Sequence, residues 1–231
     1  MEEQWIERYR KPTRILHWVY AACFLVLLAT GLILFLPPLA ALAQDSWTRI
    51  IHRVASVIII IAPIVYLVFN WKSALKGLAD AFDWGWDDIG WLIAAPRYYF
   101  LADEKAMPPQ HHMNTGQKMW WLIVIVSGLV FTVTGIIMWA FKTTAPAAVL
   151  QWSVFAHDAV FVVTTSMLLL HVYLSVIHPL MRPLRTGAWS SMARGKVSVE
   201  YAKSHHGKWY EEVVGRKEAE SEWEKVEVTT K

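Results

Sequence analysis

The sequence predicts an all-α membrane protein of four transmembrane helices with both termini in the cytoplasm. Three observations carry that prediction. The chain has 231 residues, 55% of them hydrophobic, which is too apolar for an ordinary soluble domain. Four segments, 15–36, 51–71, 119–141 and 149–177, each hold the roughly 20 apolar residues that a helix needs to cross a bilayer. Basic residues gather before the first segment (Arg8, Arg10, Lys11, Arg14), between the second and third (Lys72, Lys76, Arg97, Lys105, Lys118) and after the fourth (Arg182, Arg185, Arg194, Lys196). The other two connections hold little beyond Arg49 and Lys142. The positive-inside rule then places both ends and the long middle loop in the cytoplasm. The same flanking explains the net charge of +3, and it forms no single basic face for nucleic acid.

Each element follows from local chemistry. Residues 1–13 read as a short polar lead. Span one stops at Pro37-Pro38, because proline cannot continue a helix. Ala41-Leu42-Ala43 resembles a signal-peptidase site, but the apolar run from Val19 to Leu36 exceeds a usual signal-peptide core. An uncleaved span is therefore expected. A short outer loop, with Trp47 as an interfacial anchor, leads into span two, which Pro63 is expected to kink. In the long loop, residues 89–95 are apolar but too short to cross. The neighbours Trp84, Trp86 and Trp91 mark this stretch as interfacial. Pro108-Pro109 and a polar run through Lys118 precede span three, and span four stops at His178-Pro179. Residues 1–210 are expected to form one membrane domain, with 211–231 a charged, disordered tail. Cys23 is the sole cysteine, so the chain offers no intrachain disulfide and no Cys-ligated zinc or iron–sulfur site.

The histidines carry the functional signal. His157 and His171 stand fourteen positions apart within span four, which leaves them within roughly 40° of one helix face and about 21 Å apart along the axis. Imidazole is costly in hydrocarbon, so an intramembrane histidine points to a site. His17 enters span one from the cytoplasm and His52 opens span two from outside. Depth then fixes the pairing: His17 with His171 near the inner face, and His52 with His157 near the outer face. Two bis-histidine pairs across a helix bundle are what two b-type haems require. The expected architecture is a di-haem cytochrome b bundle in which Nε2 of each imidazole binds iron and Nδ1–H meets an acceptor.

Other residues fit around these pairs. A flat porphyrin needs small neighbours, which Gly31, Gly128, Thr132 and Gly135 supply, although ordinary small-residue packing between membrane helices accounts for them equally well. Arg14 and Arg49 each lie three positions before a ligand histidine and are candidates to pair haem propionates; their alternative role is that of positive-inside and interfacial charges. His178 reads as interfacial. His205 and His206, in the polar tail, are expected to face solvent. His111 and His112 read as exposed loop residues, with a proton relay as their functional alternative.

With the histidines placed, the chain resembles the gamma subunit of membrane-bound respiratory formate dehydrogenases, from about Arg10 to Tyr210. The sharpest parts are Asn114-Thr115-Gly116-Gln117-Lys118 opening span three, and Gly195-Lys196-Val197-Ser198 followed by His205-His206 and Trp209-Tyr210. The Arg14-x-x-His17-Trp18 start and the His157–His171 interval also match. The resemblance implies a place in the bacterial inner membrane beside a periplasmic molybdenum- or tungsten-containing catalytic subunit and an iron–sulfur subunit, in a higher-order oligomer of that heterotrimer. Electrons would pass from iron–sulfur clusters to the outer haem, then the inner haem, then menaquinone or ubiquinone. The implied quinone site is Asn114, Gly116 and Gln117 beside His171. Asn114 and Gln117 also suit the cap of span three. The stretch 84–107 departs from the family pattern. The histidine pattern alone is shared with hydrogenase, thiosulfate reductase and other respiratory cytochrome b subunits. A transporter or a passive anchor is the reading from another class, and no repeat or broken helix speaks for a transporter.

Overall fold

The computed structural model describes residues 4–44, 46–101, 107–177 and 187–215. Among them, four helices are long and apolar enough to cross a membrane. These are α1 (Lys11–Phe35), α2 (Trp47–Phe69), α5 (Thr115–Ala140) and α6 (Ala147–Val172), the last continuing as a π-helical turn, Tyr173–Ile177. The expected segments and the observed helices agree to within a few residues at each end. Helix α1 begins after an extended Arg10 with a proline in its first turn and ends at an extended Leu36. Pro37-Pro38 then opens a 3-10 helix, Pro37–Ala43, in the stretch read as an outer loop. Proline's fixed φ suits the first turn of a helix and its missing N–H disfavours an interior position. Helix α2 nevertheless runs through Pro63.

The described residues divide into two compact units. One is drawn from Met1–Arg8, Leu78–Met119 and Pro183–Lys231, and the other from Tyr9–Gly77 and Trp120–Arg182. In the second unit α1 packs along α2 and meets α6. Ile51, Val54, Ile58, Ile61, Val65 and Val68 of α2 are all exposed, at alternating steps of three and four that trace one stripe of the helix. Such a stripe is what lipid covers. The small polar residues inside are buried and satisfied within their own helices: Thr30 bonds to the Val26 carbonyl, Ser153 to Val149 and Thr164 to Val160. That arrangement lets hydroxyls sit in hydrocarbon at little cost.

The first unit holds structure that hydropathy did not predict. The supposed polar lead contains β1 (Trp5–Glu7), which pairs antiparallel with β2 (Lys196–Ser198) in the register Ile6 opposite Val197. Ile6, Val197, Ala202 and Trp209 form its buried core. Gly195, at φ 83°, turns the chain into β2, and its carbonyl accepts the Arg8 N–H at 2.7 Å. Only glycine adopts that φ without strain. The stretch 89–95 of the long loop lies within a longer helix, α4 (Trp86–Leu101), and another helix, α3 (Trp71–Phe82), precedes it. Helices flank β2: α7 (Ala188–Ala193) precedes it, and α8 (Val199–His205) and residues 207–215 follow. Residues 211–215, expected to be disordered, are thus helical, with Val213 packed against the core. The remainder of the predicted tail, 216–231, and His178 lie outside the described residues.

Candidate functional site

Three of the long helices bring the four histidines together in two pairs. His17 of α1 faces His171 of α6 with ring centroids 6.5 Å apart. His52 of α2 faces His157 of α6 at 6.4 Å. Two metal–imidazole bonds of about 2 Å, with the ring radii added, bring opposed ring centroids to roughly 6 Å. Both pairs therefore stand at the separation at which one metal ion, and the plane of a porphyrin around it, fits between the rings. The partners are those that depth along the helices requires.

The His52–His157 pair has a feature that sequence reading missed. Nδ1 of His52 lies 2.8 Å from the Thr30 hydroxyl, and Nδ1 of His157 lies 2.8 Å from the Thr134 hydroxyl. Both threonines are buried. Each hydroxyl also reaches the carbonyl four residues back, Val26 at 2.8 Å and Val130 at 2.6 Å. A hydroxyl has one proton, and a carbonyl can only accept. The proton therefore goes to the carbonyl, the threonine oxygen accepts, and each histidine donates from Nδ1–H. Nε2 is left with its lone pair, the form that ligates a metal. The chemistry of the donor set thus fits haem iron.

The His17–His171 pair is held differently. His171 lies flat against Trp120, with centroids 4.7 Å apart and planes 8° apart. Nδ1 of His17 is buried and has no hydrogen-bond partner among the described residues. The His171 carbonyl, at the point where α6 widens into its π turn, accepts from the Ser175 hydroxyl at 2.6 Å. Widened turns free backbone groups and recur at functional sites.

The small residues are divided in role. A Cβ on Gly128 would meet nothing within 4 Å, and one on Gly135 would meet only His157, at 3.9 Å. A Cβ on Gly31 would come within 3.1 Å of the Phe161 ring, so Gly31 makes room for that side chain. Arg49 donates to the Ala43 carbonyl at 2.6 Å, tying α2 to the 3-10 helix. Arg14 sits half-buried in the first turns of α1.

The residues expected to meet quinone lie in the first unit. Asn114 and Gln117 form a reciprocal cap at the start of α5: the Asn114 N–H donates to Gln117 Oε1 at 3.0 Å, and the Gln117 N–H donates to Asn114 Oδ1 at 2.9 Å. This is a capping box with asparagine as its first member. Gln117 Oε1 also accepts from Arg8 at 3.2 Å. Among the described residues no hydrogen bond uses Asn114 Nδ2 or Gln117 Nε2, so two amide donors remain available. A Cβ on Gly116 would stand 3.1 Å from the Trp91 ring.

Around them lies a buried polar network that hydropathy could not reveal. Lys118 donates to Asp88 at 2.9 Å and also to the Asp83 carbonyl. Thr115 donates to Asp88 at 2.7 Å. Burial alone would raise the Asp88 carboxyl, but the Gly85 N–H, the Lys118 ammonium and the Thr115 hydroxyl together hold it below its ordinary value. His206, expected to face solvent, is instead fully buried, its Nδ1 against the His111 carbonyl at 2.8 Å. It packs beside Tyr201 and Trp209, whose rings exclude water from what read as a polar tail. Burial, aided by the Arg8 charge, holds it well below the usual histidine range. His112 is also largely buried, 3.3 Å from Asp80, and burial keeps it below its usual value despite that carboxylate. His111 is an exposed partner of Glu212, at 3.2 Å.

The chain is similar to several known proteins. The chain is 28% identical over 215 residues to the formate dehydrogenase cytochrome b556 subunit of Haemophilus influenzae, covering 90% of this chain and 84% of the relative. It is 28% identical over 211 residues to the nitrate-inducible formate dehydrogenase cytochrome b556(Fdn) subunit of Escherichia coli, covering 90% and 91%. It is 27% identical over 214 residues to the cytochrome b556(fdo) subunit of the same organism, covering 90% and 93%. The profile of the family described as prokaryotic cytochrome b561 matches residues 8–195. The chain belongs to the prokaryotic cytochrome b561 family, whose name implies haem b.

Proposed function

We propose that this chain is the membrane-anchoring, quinone-reducing cytochrome b subunit of a respiratory formate dehydrogenase, carrying two b haems. The observation that carries the reading is the two pairs of opposed imidazoles, at 6.5 and 6.4 Å, on helices that meet in one unit. The names of the relatives supply the formate dehydrogenase part. Its partners are then a molybdenum- or tungsten-containing catalytic subunit and an iron–sulfur subunit, in a higher-order oligomer in the bacterial inner membrane, with both termini of this chain cytoplasmic.

Haem, when bound, supplies a one-electron relay across the hydrocarbon layer. His52 and His157 hold the outer group, and His17 and His171 the inner one. Arg14 and Arg49 are the proposed partners of propionate carboxylates. Asn114 Nδ2 and Gln117 Nε2 donate to a quinone carbonyl oxygen, and the backbone at Gly116 lines the same place; the family resemblance adds His171 to the quinone residues. Electrons enter from the periplasmic side and quinone takes its protons from the cytoplasm. Charge is thereby separated without a proton pump.

The test is haem stoichiometry in the purified protein, with a dithionite-reduced minus oxidised spectrum. Two low-spin b haems per chain are expected. One haem would break the depth pairing, and none, in folded protein made with haem available, would overturn the electron-transfer reading.

A further inference from the structure

The two histidine pairs differ in what their Nδ1 atoms meet, and the difference has a direction. Both outer imidazoles donate to a threonine oxygen whose own proton is committed to a backbone carbonyl. Neither inner imidazole makes such a bond among the described residues: His17 Nδ1 is buried without a partner, and His171 is held by the Trp120 ring. Donation from Nδ1–H shifts electron density toward Nε2 and makes the imidazole a stronger ligand. A stronger donor favours the ferric over the ferrous state, and second-shell hydrogen bonds are one of the levers that set a haem potential.

We propose that Thr30 and Thr134 are positioning residues that fix both outer imidazoles as Nε2 ligands and hold the outer haem at a lower potential than the inner haem. The inference rests on the di-haem reading above. With haem bound, one electron would pass from the iron held by His52 and His157, oxidised from ferrous to ferric, to the iron held by His17 and His171, reduced from ferric to ferrous. No proton moves with that electron at the outer imidazoles, because each is kept on Nδ1 by its threonine. The hydroxyl pair thereby makes electron flow from outside to inside the downhill direction. A helix residue that merely filled space would not need the hydroxyl.

The experiment is a potentiometric titration of both haems in the purified full chain, in wild type and in the near-isosteric variants Thr30→Val and Thr134→Val, with haem counted in each. The expected result is two haems throughout and a rise of the lower midpoint by about a tenfold change in its reduction equilibrium per threonine, or about 59 mV for one electron. The higher midpoint stays in place, and Thr→Ser restores the wild-type value. Unmoved midpoints with two haems present overturn the inference, as does movement of the higher one. A wild-type count other than two defeats the di-haem reading instead, so the two failures are distinguishable. Should valine empty the outer site, Thr→Ser and Thr→Ala decide. Haem retained with serine and lost with alanine supports the hydroxyl as the orienting group, and haem retained in neither overturns it.

Discussion

Trp120 and His171 are stacked, with their planes 8° apart and their centroids 4.7 Å apart. The flat contact opposes rotation of the imidazole about its bond to Cβ, so the indole orients His171 without giving its Nδ1 the acceptor that Thr30 and Thr134 give to His52 and His157. Aromatic contacts of this kind contribute about 0.5–1.5 kcal/mol beyond area burial. Trp120→Leu is predicted to leave the haem count unchanged and to move the low-spin ferric resonance of one haem, since that resonance reports the relative orientation of the two ligand planes. Trp120→Phe retains a ring and should shift it less. An electron paramagnetic resonance spectrum identical to wild type in the leucine variant would refute the orienting role.

The pairing itself makes a sharper prediction. His171→Ala should remove one haem and leave the other with its ligands intact, and His52→Ala should remove the complementary one. The two variants then have additive difference spectra, each with one haem per chain. Loss of both haems from a folded single variant would mean that the two sites are not independent.

The four spans and the four histidines that face each other in pairs were legible because each rests on a signal local to one helix. Twenty apolar residues announce a span by themselves, and a histidine within one stands out by its cost. The threonines were not legible, since a threonine on a membrane helix usually satisfies its own i−4 carbonyl, as Thr164 does. What distinguishes Thr30 and Thr134 is a neighbour more than twenty positions away. The same reason hid β1, whose partner β2 lies near the other end of the chain. It also hid the burial of His206, whose Nδ1 meets the distant His111 carbonyl. Hydropathy averaged over a polar tail cannot anticipate a small tertiary core.

The buried Lys118–Asp88 pair should dominate the stability of the first unit. Both side chains are about 4% exposed, so removing one leaves the other charge buried and unpaired. Asp88→Asn is predicted to cost about 3–5 kcal/mol, read as a fall in the unfolding midpoint and faster proteolysis within residues 83–118. The Asp88 carboxyl is held below its usual value, so its contribution is fully present at neutral pH and lost as the pH falls through and beneath the ordinary carboxylate range near about 3.9. A variant as stable as wild type at neutral pH would contradict this.

His206 and His112 predict a second, milder acid transition. Both are held below the usual histidine value in the folded chain. Below about pH 6.5 the unfolded chain binds protons that the folded chain refuses. Stability is therefore present above that pH and declines as acid is added. Thermal unfolding in detergent between pH 7 and 5 should show a falling midpoint. His206→Gln, which can still donate to the His111 carbonyl and does not titrate, should flatten the slope. A slope unchanged in that variant would remove His206 from the account.

The capping box and the proposed quinone contact use different atoms of the same two residues, and that separates them. Asn114→Asp and Gln117→Glu keep the oxygens that accept the Gln117 and Asn114 N–H groups and, in Gln117→Glu, the oxygen that accepts from Arg8. A carboxylate at a helix N-terminus is favourable, so both variants should fold with α5 intact. Each loses the amide nitrogen that would donate to a quinone oxygen. Asn114→Ala removes the cap as well and should cost about 1 kcal/mol in stability. Quinone reduction is therefore predicted to fall at least about tenfold in the acidic variants, the equivalent of one lost hydrogen bond of about 1.4 kcal/mol, with both haems still reducible by dithionite. Full quinone reductase activity in Asn114→Asp and Gln117→Glu would assign these amides to the helix start alone.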